Sequence, residues 1–221
     1  MLRLHTLTPV AVLVACLLVV GCSPRNGFES DEGGRSSGAG LECAGLENGW
    51  PELLPEHESY VGEGANTGDL LGNFLLEDQN EQFMCFSQLL GYVLVIDAST
   101  RWCAPCNAAA EESPELWEEM KDIGPSWFAT LMVQNKLTFP ATHEDVAWWA
   151  ETYGLEYPVL LDDDQQTAAE WGVTSFPLFL FVAPTGEIVE RHEARPTDAQ
   201  VLDFVSYAVQ EWAGELRPQS R

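Results

Sequence analysis

Positive charge is scarce in this chain: 10 lysines and arginines stand against 35 aspartates and glutamates, giving a formal net charge of −25. A surface so acidic repels nucleic acid and anionic lipid headgroups through its long-range field. No nucleic-acid partner is expected, and since acidity also serves solubility, no cationic partner follows from it. Histidine is rare too, and His5, His57, His143 and His192 are scattered singly. With no second Cys or His pair at metal-binding spacing, a structural zinc site lacks ligands. Long apolar runs are also missing. The stretch 10–20 is shorter than the roughly 20 residues that a membrane-spanning helix needs.

That apolar stretch follows Arg3, the only charged residue among the first 24, and ends at Gly21-Cys22. It reads as a signal peptide, residues 1–21. Val19-Val20-Gly21-Cys22 resembles the lipobox of bacterial lipoproteins, which implies cleavage before Cys22 and a lipid on that cysteine. The alternative is a plain signal peptide or short anchor with a chance cysteine. The resemblance implies an extracytoplasmic, membrane-anchored protein, and Ser23 after the cysteine is compatible with outer-membrane sorting. Residues 22–66 are rich in Gly, Ser, Glu and Asp, too poor in apolar groups to offset the entropy of ordering, and read as a flexible tether. In its second half, Leu41-Glu42-Cys43 and Trp50-Pro51-Glu52-Leu53-Leu54 carry enough apolar side chains to lie against the domain that follows, residues 67–215, before a short tail at 216–221.

The domain begins with a hairpin pattern, 74–77 and 82–86, around the turn Asp78-Gln79-Asn80-Glu81. Residues 92–98 form an apolar run that indicates a central strand buried on both faces. A helix over 104–121 follows, with Pro114 expected to bend it. Further elements are a strand at 127–133, a helix at 143–153, an edge segment at 157–161 limited by Pro158, a short helix at 165–171, and paired strands at 178–182 and 188–191. The last helix opens at Thr197, where Gln200 completes a capping box. The order β-α-β-α-β-β-α after the hairpin describes an α/β fold, a central mixed sheet flanked by helices.

Chemistry concentrates at Trp102-Cys103-Ala104-Pro105-Cys106, where the central strand hands over to a helix. A thiol at a helix N-terminus faces unpaired N–H groups and the positive end of the helix dipole, which favour thiolate. Cys103 is so placed, as an exposed, low-pKa nucleophile, and Cys106, one turn inside, can close a disulfide with it. No metal and no cofactor beyond this dithiol is expected. Asp97 sits inside the buried strand, where desolvation raises a carboxyl pKa. It serves either as a proton acceptor or as a carboxylate satisfied by backbone hydrogen bonds. With Cys16 removed and Cys22 lipidated, Cys43 and Cys85 are left over, and even pairing in an oxidising compartment favours a bridge between them.

The run from Val95 to Cys106, with an acid six residues before the first cysteine and Trp102 immediately before it, resembles the active-site segment of thioredoxins. Gly172-Val173-Thr174-Ser175-Phe176-Pro177 resembles that family's cis-proline segment, and Pro184-Thr185-Gly186-Glu187-Ile188-Val189 its final hairpin. The closest type is the membrane-anchored TlpA and redoxin kind. This resemblance implies a thioredoxin fold with an extra N-terminal β-hairpin, and a thiol–disulfide oxidoreductase acting on protein thiols and disulfides with a recycling redox partner. It assigns deprotonation of Cys106 to Asp97, and substrate contact to Trp102, Phe176 and Pro177. Ala98-Ser99-Thr100 stands where the family has bulky aromatics, and Pro114 lies farther from Cys106 than the usual helix proline.

Two other classes compete. Thr100-Arg101-Trp102-Cys103 fits the Thr-x-x-Cys of peroxiredoxin-like peroxidases, but the proline expected before it is absent. A non-enzymatic lipoprotein could instead retain copper on the two thiols, or serve as an anchored binding module. The direction of exchange is set by reduction potential against the compartment, which Ala104-Pro105 do not fix.

Overall fold

The computed structural model describes residues 41–218; the signal peptide, Cys22, the first half of the tether and residues 219–221 lie outside the described residues. The architecture is organised around β3 (Val93–Thr100), all eight of whose residues are buried. Apolar side chains on both faces let it take the central place. It pairs in parallel with β4 (Ser126–Gln134) and antiparallel with β6 (Leu178–Val182). β5 (Val159–Leu161) and β7 (Ile188–His192) close the edges, giving the order β5-β4-β3-β6-β7. Pro158 thus leads into an edge strand, where a missing N–H is tolerated.

Alternation along the strands divides the core in two. Val93 and Val95, with Phe128, Met132, Phe179 and Phe181, pack against α1 (Ala104–Ile123), α2 (His143–Tyr153) and α4 (Asp198–Glu211). Leu94, Ile96 and Ala98 pack against the hairpin of β1 (Leu75–Glu77) and β2 (Phe83–Cys85), the 3-10 turn Phe86–Leu89 and the start of the α3 (Gln166–Glu170) region. Asp97 and Ser99 fall on the α1 side by the same alternation. α2 and α4 open with the capping boxes Thr142/Asp145 and Thr197/Gln200. α1 continues through Pro114. The Ala110 carbonyl that a proline cannot bond accepts instead from Ser113 Oγ at 2.9 Å.

Packing extends beyond 67–215 at both ends. Cys43 is bridged to Cys85 of β2. Trp50 sets its ring edge-on to Trp127 and donates from Nε1 to Asp78 Oδ2 at 2.6 Å. Asn48 and Gln88 exchange amide hydrogen bonds, and Gln88 also donates to the Pro51 carbonyl. At the other end Arg217 donates to the carbonyls of Gln88 and Glu52, crossing Gly91. Gly91 has φ +86, and a Cβ there would collide with the Arg217 side chain. No helix among the described residues is long and apolar enough to cross a membrane.

Candidate active site

Cys103 is the N-cap of α1, and its Sγ accepts the Cys106 N–H at 3.2 Å. Pro105 sits in the first turn, where its missing N–H costs nothing. The two cysteines are joined in a disulfide, with Cα atoms 5.2 Å apart. Cys103 is 3% exposed and Cys106 fully buried. This corrects the expectation of an exposed nucleophile: bonded to Cys106, the Cys103 sulfur is turned inward, and the exposed surface at the motif is Trp102, Ala104 and Pro105.

The approach to the helix is held from its side. Asn107 donates to the carbonyls of Cys103 (2.6 Å) and Arg101 (3.3 Å) and accepts from the Tyr153 hydroxyl at 2.6 Å. Arg101 pairs with Asp145 at 2.6 Å, its guanidinium 3.8 Å from the centre of the Trp148 ring. Sequence reading passed over Asn107, Arg101 and Tyr153. Asn107, four residues after Cys103 on a helix start, was the available signal, since a short amide there can turn back onto the N-cap carbonyl.

Trp102 is 46% exposed. It donates from Nε1 to Gln134 Oε1 at 2.9 Å and stands edge-on to Phe176, ring centres 6.0 Å apart. The Phe176–Pro177 peptide is cis. Trp102 and Phe176 are thus brought together as an apolar rim beside the dithiol, with Pro177 buried behind it. The loop that carries Phe176 and Pro177 is tied at its start by Arg191, which donates to the carbonyls of Trp171 (2.7 Å) and Gly172 (2.9 Å), and also to that of Ala65 (3.1 Å). After β4, at the same end of the sheet, Leu137 and Phe139 are 68% and 63% exposed. Their loop is fixed by Asn135 Oδ1, which accepts the N–H groups of both.

Asp97 is paired in register with Thr130 of β4 and Phe179 of β6. Its carboxylate accepts from Thr130 Oγ1 at 2.6 Å and from Ser99 Oγ, so side-chain hydroxyls are its chief partners. Burial pushes its pKa up to about 6, with the Ser99 and Thr130 hydroxyls opposing the rise. Neither hydroxyl was singled out from the sequence. Thr100, the threonine of the peroxidase-like pattern, has a buried Oγ1 with no hydrogen-bond partner. Among the described residues no group of three or more His, Cys, Asp or Glu side chains is arranged to hold a metal ion.

A mixed sheet of this order, with a disulfide-bonded cysteine pair at the head of the helix after its central strand, defines a redox enzyme of the thioredoxin fold. The chain belongs to the AhpC/TSA family, whose model matches residues 67–191. It is similar to the thiol-disulfide oxidoreductase ResA of Bacillus subtilis, 25% identical over 144 residues that cover 65% of this chain and 76% of ResA. ResA of Halalkalibacterium halodurans is likewise 25% identical, over 141 residues covering 64% of this chain and 76% of that protein. A putative thiol:disulfide interchange protein DsbE from Chlorobium tepidum superposes with a TM-score of 0.56 at 20% identity, covering 66% of this chain and 98% of that one. The peroxidoxin BcpB of Mycobacterium tuberculosis reaches 0.54 at 17% identity, over 66% of this chain and 97% of its own. At such identities the two structures share the fold alone.

Proposed function

We propose that the protein exchanges disulfides with extracytoplasmic protein substrates through Cys103 and Cys106, anchored to a membrane by a lipid on Cys22. The observation that carries the exchange reaction is the bonded cysteine pair at the α1 N-terminus, with Cys103 Sγ accepting a helix N–H. That donor and the helix dipole stabilise a thiolate on Cys103 once the pair is reduced. Asp97 is the proton acceptor for Cys106, and the anchor is inferred from the sequence around Cys22.

Running as a reductant, the Cys103 thiolate attacks one sulfur of a substrate disulfide. A mixed S–S bond forms and the second substrate sulfur leaves as thiolate. Cys106 gives its proton to Asp97 and attacks Cys103 Sγ, releasing the first substrate sulfur and closing Cys103–Cys106. Two electrons have passed to the substrate, and a recycling redox partner returns them. Run backwards, the same steps oxidise a substrate dithiol. Trp102 and Phe176 supply the apolar rim, and the backbone ahead of Pro177 receives the extended substrate segment as an added strand.

Cys106→Ser should trap partner proteins as mixed disulfides on Cys103, Cys103→Ser should trap few, and both should lose turnover. If alkylation of the reduced protein at mildly acidic pH labels Cys106 ahead of Cys103, the assigned roles are reversed. If neither variant affects exchange, the oxidoreductase reading fails.

A further inference from the structure

The turn that carries the chain from β3 into α1 is held by hydrogen bonds that involve no sulfur. Arg101 N–H donates to the Gln134 carbonyl of β4 at 3.1 Å, and Cys103 N–H donates to the Thr100 carbonyl at 3.3 Å. The two carbonyls on the helix side are taken by one residue. Asn107 gives its backbone N–H to the Cys103 carbonyl at 3.1 Å, and its Nδ2 donates to that same carbonyl at 2.6 Å and to the Arg101 carbonyl at 3.3 Å. Carbonyls only accept, so the Asn107 amide can sit one way round, with both Nδ2 protons on the turn. Its Oδ1 then receives the Tyr153 hydroxyl proton, at 2.6 Å.

Tyr153 is itself held in place. Its ring stands edge-on to that of buried Trp149, ring centres 4.9 Å apart, and to that of Trp148 at 6.2 Å. Trp148 in turn carries the Arg101 guanidinium 3.8 Å from its ring centre, and Asp145, near the opposite end of α2, pairs with the same guanidinium. These contacts close a circuit from the Arg101 carbonyl through Asn107, Tyr153 and Trp148 back to the Arg101 side chain. α2 thereby grips the turn at two points. None of the contacts uses the Cys103–Cys106 bond, so the circuit can still hold the turn once reduction has opened that bond.

We propose that Asn107, oriented by Tyr153, is the positioning residue that keeps Cys103 at the N-cap of α1 in the reduced protein, where its sulfur accepts the Cys106 N–H. The inference rests on Cys103 being the nucleophile of the exchange reaction. A Cys103 freed from the clamp loses that N–H and its fixed place at the helix dipole, and its thiol becomes a weaker acid. The charged and titratable groups on the elements that meet at this turn are Cys106 and Glu111 on α1, Asp97 on β3, Arg101, and Asp145 and Tyr153 on α2. Gln134 of β4 and the Phe176–Pro177 segment add no charge. Burial holds the Tyr153 pKa above its ordinary value, so the phenol is neutral wherever a stabilised thiol titrates. Asn107→Ala and Tyr153→Phe therefore change no charge, and a change in Cys103 acidity must come from its position.

The pH dependence of alkylation in the reduced protein, with the labelled cysteine mapped by mass, reads that acidity. Asn107→Ala should move the Cys103 midpoint up by about one pH unit, the size of a partly lost hydrogen bond to a charged group. Tyr153→Phe deletes one oxygen and keeps the ring, and should move the midpoint the same way by less. The double variant should move it no further than Asn107→Ala alone, because Tyr153 acts only through Asn107. General loosening of the turn would instead make the two shifts add. A midpoint that fails to rise in either single variant, or shifts that add in the double variant, overturns the clamp. Labelling of Cys106 ahead of Cys103 in the parent protein overturns the nucleophile assignment on which the clamp's role rests, and that failure shows before any substitution is made.

Discussion

Replacing Asp97 by Asn should stabilise the oxidised protein by an amount that grows with pH. In an unfolded chain the carboxyl ionises near 3.8, and in the fold near 6. Below pH 4 both states hold the proton and the acid costs nothing on this account. As pH rises through 4 to 6 the unfolded chain releases its proton while the fold retains it, so stability falls. Above the folded value the loss levels off, at about 2 pKa units or roughly 3 kcal/mol. The amide of Asp97→Asn cannot ionise, so the variant's advantage over the parent should open across pH 4–6 and plateau above it. That amide's Oδ1 can accept from Thr130 as the carboxylate does and its Nδ2 can donate to Ser99 Oγ, so the substitution should not disturb the sheet. Urea unfolding of both proteins across pH 4–8, in oxidising buffer, measures the difference. A stability difference that is flat over this range would show that Asp97 does not titrate in the fold there. The same variant should slow disulfide reduction near neutral pH, because Cys106 has lost its proton acceptor.

Two further outcomes follow from packing. Cys43→Ala with Cys85→Ala opens a loop closed across a sequence separation of 42, which loop-closure entropy places at about 4 kcal/mol; urea midpoints that match those of the bridged protein would show that the bridge adds nothing. Leu137→Ser with Phe139→Ser should raise KM for disulfide-bonded protein substrates on the order of tenfold, and leave exchange with a small soluble disulfide unchanged. Equal losses on both substrates would mean that these side chains support the fold rather than grip a partner.

What the sequence made legible was whatever is written locally. The residues of β3 announce a strand buried on both faces because they are continuously apolar, and the cysteine pair lies directly after it. Thr197/Gln200 marks a helix start within four residues. The hydroxyls on Asp97 were not legible, since Ser99 and Thr130 each look like filler in an apolar strand. Only the β3–β4 register sets Thr130 opposite Asp97. The docking of residues 41–54 on the domain was expected from their apolar side chains, but its polar partners were hidden for the same reason: Trp50 and Asp78, or Asn48 and Gln88, are far apart in the chain. The burial of Cys103 is seen with the disulfide closed, a state rather than a pattern.

A carboxylate at the centre of a five-stranded sheet is a standing liability, and the rest of the molecule is arranged in ways that tolerate it. At neutral pH its cost of roughly 3 kcal/mol is a large share of the stability that a domain normally has. An adjacent cation would lower that cost, but it would also hold the acid ionised and weaken it as a base for a buried thiol. Hydroxyls do neither strongly. Ser99 and Thr130 donate to the charged form, so the carboxylate is not left as a stranded buried group. The remaining cost is offset elsewhere in the fold, where the Cys43–Cys85 bridge and the Trp50 and Arg217 contacts tie both ends of the domain to the hairpin, the 3-10 turn after it and β4. That bridge persists only in an oxidising compartment. The compartment inferred from Cys22 is therefore also the one in which this sheet can best carry its buried acid.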